Sequence, residues 1–178
     1  MDQDMKTASD TGSVCSPLDE DKCLEAYEHS FIGWYSHSLD SKGRMVVPQA
    51  FREMLGDSFY VAPSFDFKSI ALYPNKAWAR ERDRYGKLAS FNTALMRYLE
   101  MFDALSFRGQ ECDQQGRVLL PAKIRQMILK DEKDVEITGA NDHVRIVAST
   151  KDAEASQYFM DHVDDFTAIM NQMGTVRP

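Results

Sequence analysis

Two short segments of this 178-residue chain place a carboxylate, a glycine and a guanidinium within five residues of one another. They are Asp40-Ser41-Lys42-Gly43-Arg44 and Asp113-Gln114-Gln115-Gly116-Arg117. Glycine permits a positive φ, so the chain can reverse tightly at Gly43 and Gly116. An aspartate that opens a loop can accept hydrogen bonds from the backbone that follows it. Asp40, Gly43, Asp113 and Gly116 therefore read as turn-forming residues, and the chemistry falls to the side chains they present. An arginine fork can donate to O6 and N7 of guanine, or it can pair with the aspartate across its own turn. Spacing alone leaves Arg44 open between the two. Lys42, beside a glycine, can reach a phosphate. Arg117 repeats Arg44, but Gln115 stands where Lys42 would be. The second loop should attract phosphate less, although Gln115 can still hydrogen-bond a base or phosphate. Arg44 is expected to outweigh Arg117.

Other chemistry finds little footing. The four histidines, His29, His37, His143 and His162, show no ligand spacing with cysteines or with one another. No glycine-rich phosphate loop or nucleophile elbow occurs, and no His, Ser or Cys recurs with Asp40 and Asp113 to make an acid/base pair. The chain is expected not to be an enzyme, with no catalytic residues, no metal, no cofactor and no small-molecule substrate. Cys15, Cys23 and Cys112 form an odd set without Cys-x-x-Cys spacing, which suits a reducing cytoplasm. No stretch approaches the roughly 20 apolar residues of a membrane span, so a membrane partner is not expected.

The net charge of −7 argues at first against nucleic acid. Its distribution weakens the objection. Residues 1–30 hold eight acids against Lys6 and Lys22, and residues 149–178 hold five against Lys151 and Arg177. The centre is mildly basic, so a local cationic surface is compatible with the composition.

The elements that must carry the two loops come in duplicate. Leu39 to Pro48 recurs as Cys112 to Pro121 at an offset of 73 residues, and Phe51, Arg52, Met54 and Leu55 fall on Ile124, Arg125, Met127 and Ile128. So many matches at one offset mark an internal duplication. In each copy a strand (Gly33 to Ser38; Phe107 to Cys112) runs into the loop. A short apolar strand follows, then Pro48 or Pro121 in the first turn of a helix, where its missing N–H costs nothing. That helix sets Phe51, Met54 and Leu55, or Ile124, Met127 and Ile128, on one face. Two further strands close each copy, Phe59 to Ala62 with Ser69 to Tyr73, and Val135 to Thr138 with Val144 to Ala148.

A helix capped by Asn75 should carry Trp78, Tyr85 and Leu88, and another over Thr93 to Leu105 should set Leu95, Tyr98, Leu99 and Phe102 on one side. Ser149-x-x-Asp152 resembles a capping box before a C-terminal helix bearing Tyr158, Phe159, Val163 and Phe166. The expected organisation is an acidic disordered tail over 1–30, a first repeat over 34–78, connecting helices over 79–106, a second repeat over 107–150, and a C-terminal helix and tail over 151–178. A copy of ~45 residues is marginal alone, so the two should share a core. Arg52 and Arg125 recur on the polar side of the repeated helix, as a structural ion pair or a subunit contact. The run Arg80 to Arg84 mixes signs and reads as a solvated face.

Tyr35 to Arg44, then Pro48 and Phe51-Arg52, with the second Asp-x-x-Gly-Arg at 113–117, resembles the MraZ family over about residues 31–150 plus the C-terminal helix. The resemblance implies an α+β fold of two tandem SpoVT-AbrB-like swapped-hairpin (double-psi-like) β modules sharing a core, with helices after each module. It also implies a ring-shaped homo-oligomer, in the cytoplasm and associated with the nucleoid. This assembly would bind G-rich direct repeats in double-stranded promoter DNA and regulate, usually repress, the division and cell-wall gene cluster that includes its own gene. On that footing Lys42, Arg44, Gln115 and Arg117 become the DNA-binding residues. The acidic extension before Phe31 departs from the family pattern, as does the second copy's lack of a cysteine further before its aspartate. Cys112, directly before Asp113, reads as a small apolar residue. The competing reading is a protein-binding assembly module without DNA affinity, which the acidic ends favour.

Overall fold

The computed structural model describes residues 30–89, 92–130 and 132–172. The acidic tail, with Cys15 and Cys23, lies outside these residues apart from Ser30, as does the chain after Gln172.

Strand segments rich in Val, Ile, Phe and Tyr build one six-stranded antiparallel sheet in the order β1-β7-β8-β4-β3-β5. Its members are β1 (Trp34–Ser38), β3 (Phe59–Pro63), β4 (Ile70–Pro74), β5 (Phe107–Gln110), β7 (Asp134–Gly139) and β8 (Val144–Ala148). The two remaining strands, β2 (Arg44–Val46) and β6 (Arg117–Leu119), pair only with each other. The order reads the same from either end once the copies are interchanged, and the arrangement is reciprocal. β1 of the first copy pairs with β7 of the second, and β5 of the second pairs with β3 of the first. The strands that close each copy meet at the centre, where β4 pairs with β8. A shared core follows directly, since neither copy's sheet is complete without a strand from the other.

Alternation along the strands gives the sheet two apolar faces in its first-copy half. Phe59, Val61, Ile70 and Leu72 point to the main core, with Val135, Ile137, Val144 and Ile146 from the second copy. Covering them are Phe51 and Leu55 of α1 (Gln49–Leu55), Ile124 of α4 (Ala122–Ile128), and Met45 and Val118 from the ribbon. The opposite face presents Tyr60, Ala62, Ala71 and Tyr73 to Phe102, Ala77 and Trp78 of α2 (Asn75–Ala89) and α3 (Thr93–Ala104). Tyr60 stacks on Trp78 with ring centroids 4.1 Å apart.

Several local expectations need correction. β5 ends at Gln110, short of Cys112, and within it Gly109, at a φ of 67°, falls in a shift of register against Phe59 and Val61 of β3. Pro48 and Pro121 sit just before α1 and α4 with extended ψ, so each supplies the first helical acceptor instead of the first turn. Met127 of α4 is exposed. Asn75 is the first residue of α2 instead of its cap, and its amide donates to the carbonyl of Ser58, just before β3, at 3.1 Å. The capping box does not form either, since Ser149 instead donates to Glu136 at 2.9 Å and Asp152 is buried near Arg145.

The C-terminal helix is two helices, α5 (Ser149–Asp161) and α6 (Val163–Gln172). His162 leaves helical geometry with φ −121° and ψ 15°. Leu88 of α2 points to solvent, as do Tyr158, Phe159, Val163, Phe166 and Ile169 of α5 and α6. No helix among the described residues is long and apolar enough to cross a membrane.

Candidate nucleic-acid interface

Each loop is organised by its aspartate. The Asp40 carbonyl accepts from the Gly43 N–H at 2.9 Å, and the Asp40 N–H donates to the Arg44 carbonyl at 2.8 Å. Its Oδ1 accepts from the backbone of Lys42 and Arg44, each at 2.9 Å. Oδ2 takes the Arg44 side chain, with Nε and Nη2 each at 2.7 Å. The second loop repeats this. Asp113 Oδ1 accepts from the Gln115 and Arg117 N–H groups at 2.9 Å, and Oδ2 takes Arg117 Nε at 2.8 Å and Nη2 at 2.7 Å. Gly43 and Gly116 have φ values of 80° and 74°, the left-handed geometry expected of the turn.

The ion pair that spacing left open for Arg44 is therefore present, and Arg117 makes the same one. Each arginine side chain is 28% exposed, so the pair adds little stability. Its effect is orientation. The fork has five N–H donors, of which the aspartate engages those of Nε and one of Nη2.

Backbone hydrogen bonds to the carboxylates, with the arginine side chains, hold the aspartates well below the usual range. The Arg44 N–H leads for Asp40 and the Arg117 side chain for Asp113, bringing both to about 2 from an ordinary 3.8. A carboxyl-carbon NMR titration should find both midpoints near 2. Because folding lowers these pKa values, the carboxylates' contribution to loop order is fully present above 3.8 and fades as pH falls toward 2. Midpoints near 3.8 would show that the bonds do not persist in solution.

The ribbon brings the two loops onto one surface. β2 and β6 pair with Arg44 opposite Leu119, Met45 opposite Val118 and Val46 opposite Arg117. Met45 and Val118 are buried beneath, so Arg44, Val46, Arg117 and Leu119 share the outer face, the guanidiniums at diagonal corners. Lys42 and Gln115 are exposed at the loop tips. All four residues expected to contact DNA thus lie on this ribbon and its loops.

The role of Arg52 and Arg125 was not legible from their spacing. Each reaches across to the loop of the opposite copy and lies against its glycine. A Cβ built on Gly43 would fall 1.0 Å from Arg125 Nη1, and one on Gly116 would fall 2.1 Å from Arg52 Nη1. Arg125 Nη1 also donates to the Lys42 carbonyl at 3.3 Å, and Arg52 Nε is buried without a hydrogen-bond partner. Arg125 thus holds loop backbone within the chain and Arg52 packs against the corresponding glycine, and among the described residues neither makes the ion pair expected of it. Their recurrence at the repeat offset was the available signal. Cys112 is partly buried against the core, and burial pushes its thiol pKa up, in keeping with an apolar role. Among the described residues no group of three or more His, Cys, Asp or Glu could hold a metal ion.

Comparison with known proteins finds the same family twice over. A family model described as MraZ protein, antitoxin-like, matches residues 30–101. A protein of Lachnoclostridium phytofermentans named transcriptional regulator MraZ is 31% identical over 144 residues, 81% of this chain and 97% of its own length. Its namesake in Moorella thermoacetica is 32% identical over 143 residues, 80% of this chain and 96% of its own. That of Desulforamulus reducens is 36% identical over 116 residues, 65% of this chain and 80% of its own. With nearly the whole length of the first two relatives covered at 31% and 32% identity, the chain belongs to the MraZ family.

Proposed function

We propose that this protein is a transcriptional regulator that binds double-stranded DNA through the ribbon and its two loops. The observation that carries the reading is the pairing of β2 with β6, which sets two oriented guanidiniums on one exposed face. Arg44 and Arg117 would read guanine edges in the major groove, which admits a two-stranded ribbon. Lys42 and Gln115 would meet phosphate or base. The relatives' names support regulation of transcription.

The reciprocal strand exchange supports the finer fold reading, tandem AbrB-like swapped-hairpin modules over 34–78 and 107–150. The uncovered apolar side chains of α5 and α6 support self-association. A ring would lay several ribbons along direct repeats about one helical turn apart, each further contact becoming intramolecular after the first. Repression of the chain's own gene cluster, in the nucleoid, is the regulatory role that fits.

The test is a gel-shift series on the duplex upstream of the protein's own gene. Arg44→Ala should weaken binding roughly tenfold to a hundredfold, the worth of one arginine–guanine pair, and more than Arg117→Ala does. Affinity should fall steeply with salt. Unchanged affinity of Arg44→Ala would remove the reading residue. A salt-insensitive or absent complex would favour the protein-binding alternative.

A further inference from the structure

The ribbon's outer face holds two side chains that the guanidinium reading does not use. Val46 is 41% and Leu119 51% exposed. Single exposed aliphatics are ordinary on a protein surface; register sets these two apart. Val46 lies directly opposite Arg117 and Leu119 directly opposite Arg44, so each aliphatic has its Cβ about 5 Å from that of an arginine. The aspartates draw both guanidiniums to their own turns, which leaves the aliphatics uncovered. Along one strand Val46 stands about 7 Å from Arg44, close to two base-pair steps of ~3.4 Å.

We propose that Val46 and Leu119 are specificity-determining residues that contact the 5-methyl groups of thymines beside the guanines read by Arg44 and Arg117. The inference rests on the DNA reading above. A ribbon face entering the major groove far enough for its guanidiniums to meet base edges carries its other outward side chains to neighbouring base pairs. The one apolar group displayed there is the thymine methyl. Valine and leucine offer no hydrogen bond to a base and gain by covering that methyl. The duplication places one aliphatic beside each arginine, so each subunit would read two guanine-plus-thymine corners.

The experiment selects duplexes from a random pool with the wild-type full-length chain, then replaces each thymine of the selected site singly by deoxyuridine, which lacks only the methyl. At one or more positions wild-type affinity should fall about fourfold, the worth of one buried methyl. Val46→Ala or Leu119→Ala should bind the unmodified site more weakly and show no further loss at the corresponding uridine, the non-additivity of a direct contact. Both sites are exposed, and a thermal melt verifies that each variant folds. Selection of a site at which the wild type ignores every uridine, or at which both variants keep the full uridine penalty, overturns this proposal and leaves the guanidinium reading standing. Selection of no duplex overturns both.

Discussion

Phe51→Ala is expected to cost about 3–5 kcal/mol of stability, the range for emptying a buried aromatic site. Phe51 is 1% exposed and lies where three parts of the fold meet. Phe31 packs edge-on against it at 5.6 Å and Tyr35 at 5.3 Å between centroids, while the ring belongs to the core that both copies share. The surroundings cannot collapse readily, because Phe31 and Tyr35 are tied to the sheet through β1 and the bridge of Phe31 to Asn141. Urea unfolding followed by circular dichroism reads the effect. The duplicate Ile124→Ala removes fewer atoms from an equally buried site and should cost about 2–5 kcal/mol. A loss below about 1 kcal/mol for Phe51→Ala would mean that the site relaxes freely and that the aromatic cluster is not a fixed joint.

Gly139→Ala is expected to be nearly as damaging, at about 3 kcal/mol, the upper part of the range for overpacking. The cause is contact, not φ. A Cβ on Gly139 would lie 2.3 Å from the Phe31 carbonyl carbon and oxygen and 2.5 Å from the Ile32 nitrogen. These are backbone atoms and cannot swing aside as a guanidinium can. Residues 31–33 must therefore shift, straining the Gly139 N–H bond to the Gly33 carbonyl at 2.8 Å and the seat of the Phe31 ring. Gly56→Ala is the control. Gly56, at φ 78° and ψ −169°, has nothing within 4 Å of a built Cβ, so its cost of about 1–3 kcal/mol comes from a backbone region almost reserved for glycine and not from contact. A loss below about 1 kcal/mol for Gly139→Ala would show that the approach of residues 31–33 to β7 is looser than the geometry requires.

What could be read in advance divides along the length scale of the interaction. The duplication, the glycine turns and the strand segments are local properties, carried by residue type and by the 73-residue offset. The aspartate–arginine pair was one of two local options, and the loop's own backbone decides it: Asp40 is already turned toward residue 44 by the Arg44 N–H. Strand partners were not legible. β1 has the same alternation whether it pairs within its own copy or with β7, and only the closed six-stranded order selects the latter. The failed caps have a related cause. Asn75 and Ser149 are the first residues of their helices instead of preceding them, and their side chains donate to partners distant in sequence, Ser58 and Glu136. Arg52 and Arg125 looked like ion-pair residues because a glycine's bare backbone, 64 or 82 positions away, leaves no trace as a partner for a guanidinium.

The crossed grip of these two arginines ties the fate of one corner to that of the other. Arg125, rooted in the second half, steadies the first turn, and Arg52, rooted in the first, steadies the second. Loosening of either half therefore loosens the support of the other half's turn, through the Arg125–Lys42 bond on one side and the packing of Arg52 against Gly116 on the other. Divergence between the halves is constrained in the same way: tips such as Lys42 and Gln115 can drift apart, whereas each glycine can gain a side chain only if the arginine of the opposite half gives way.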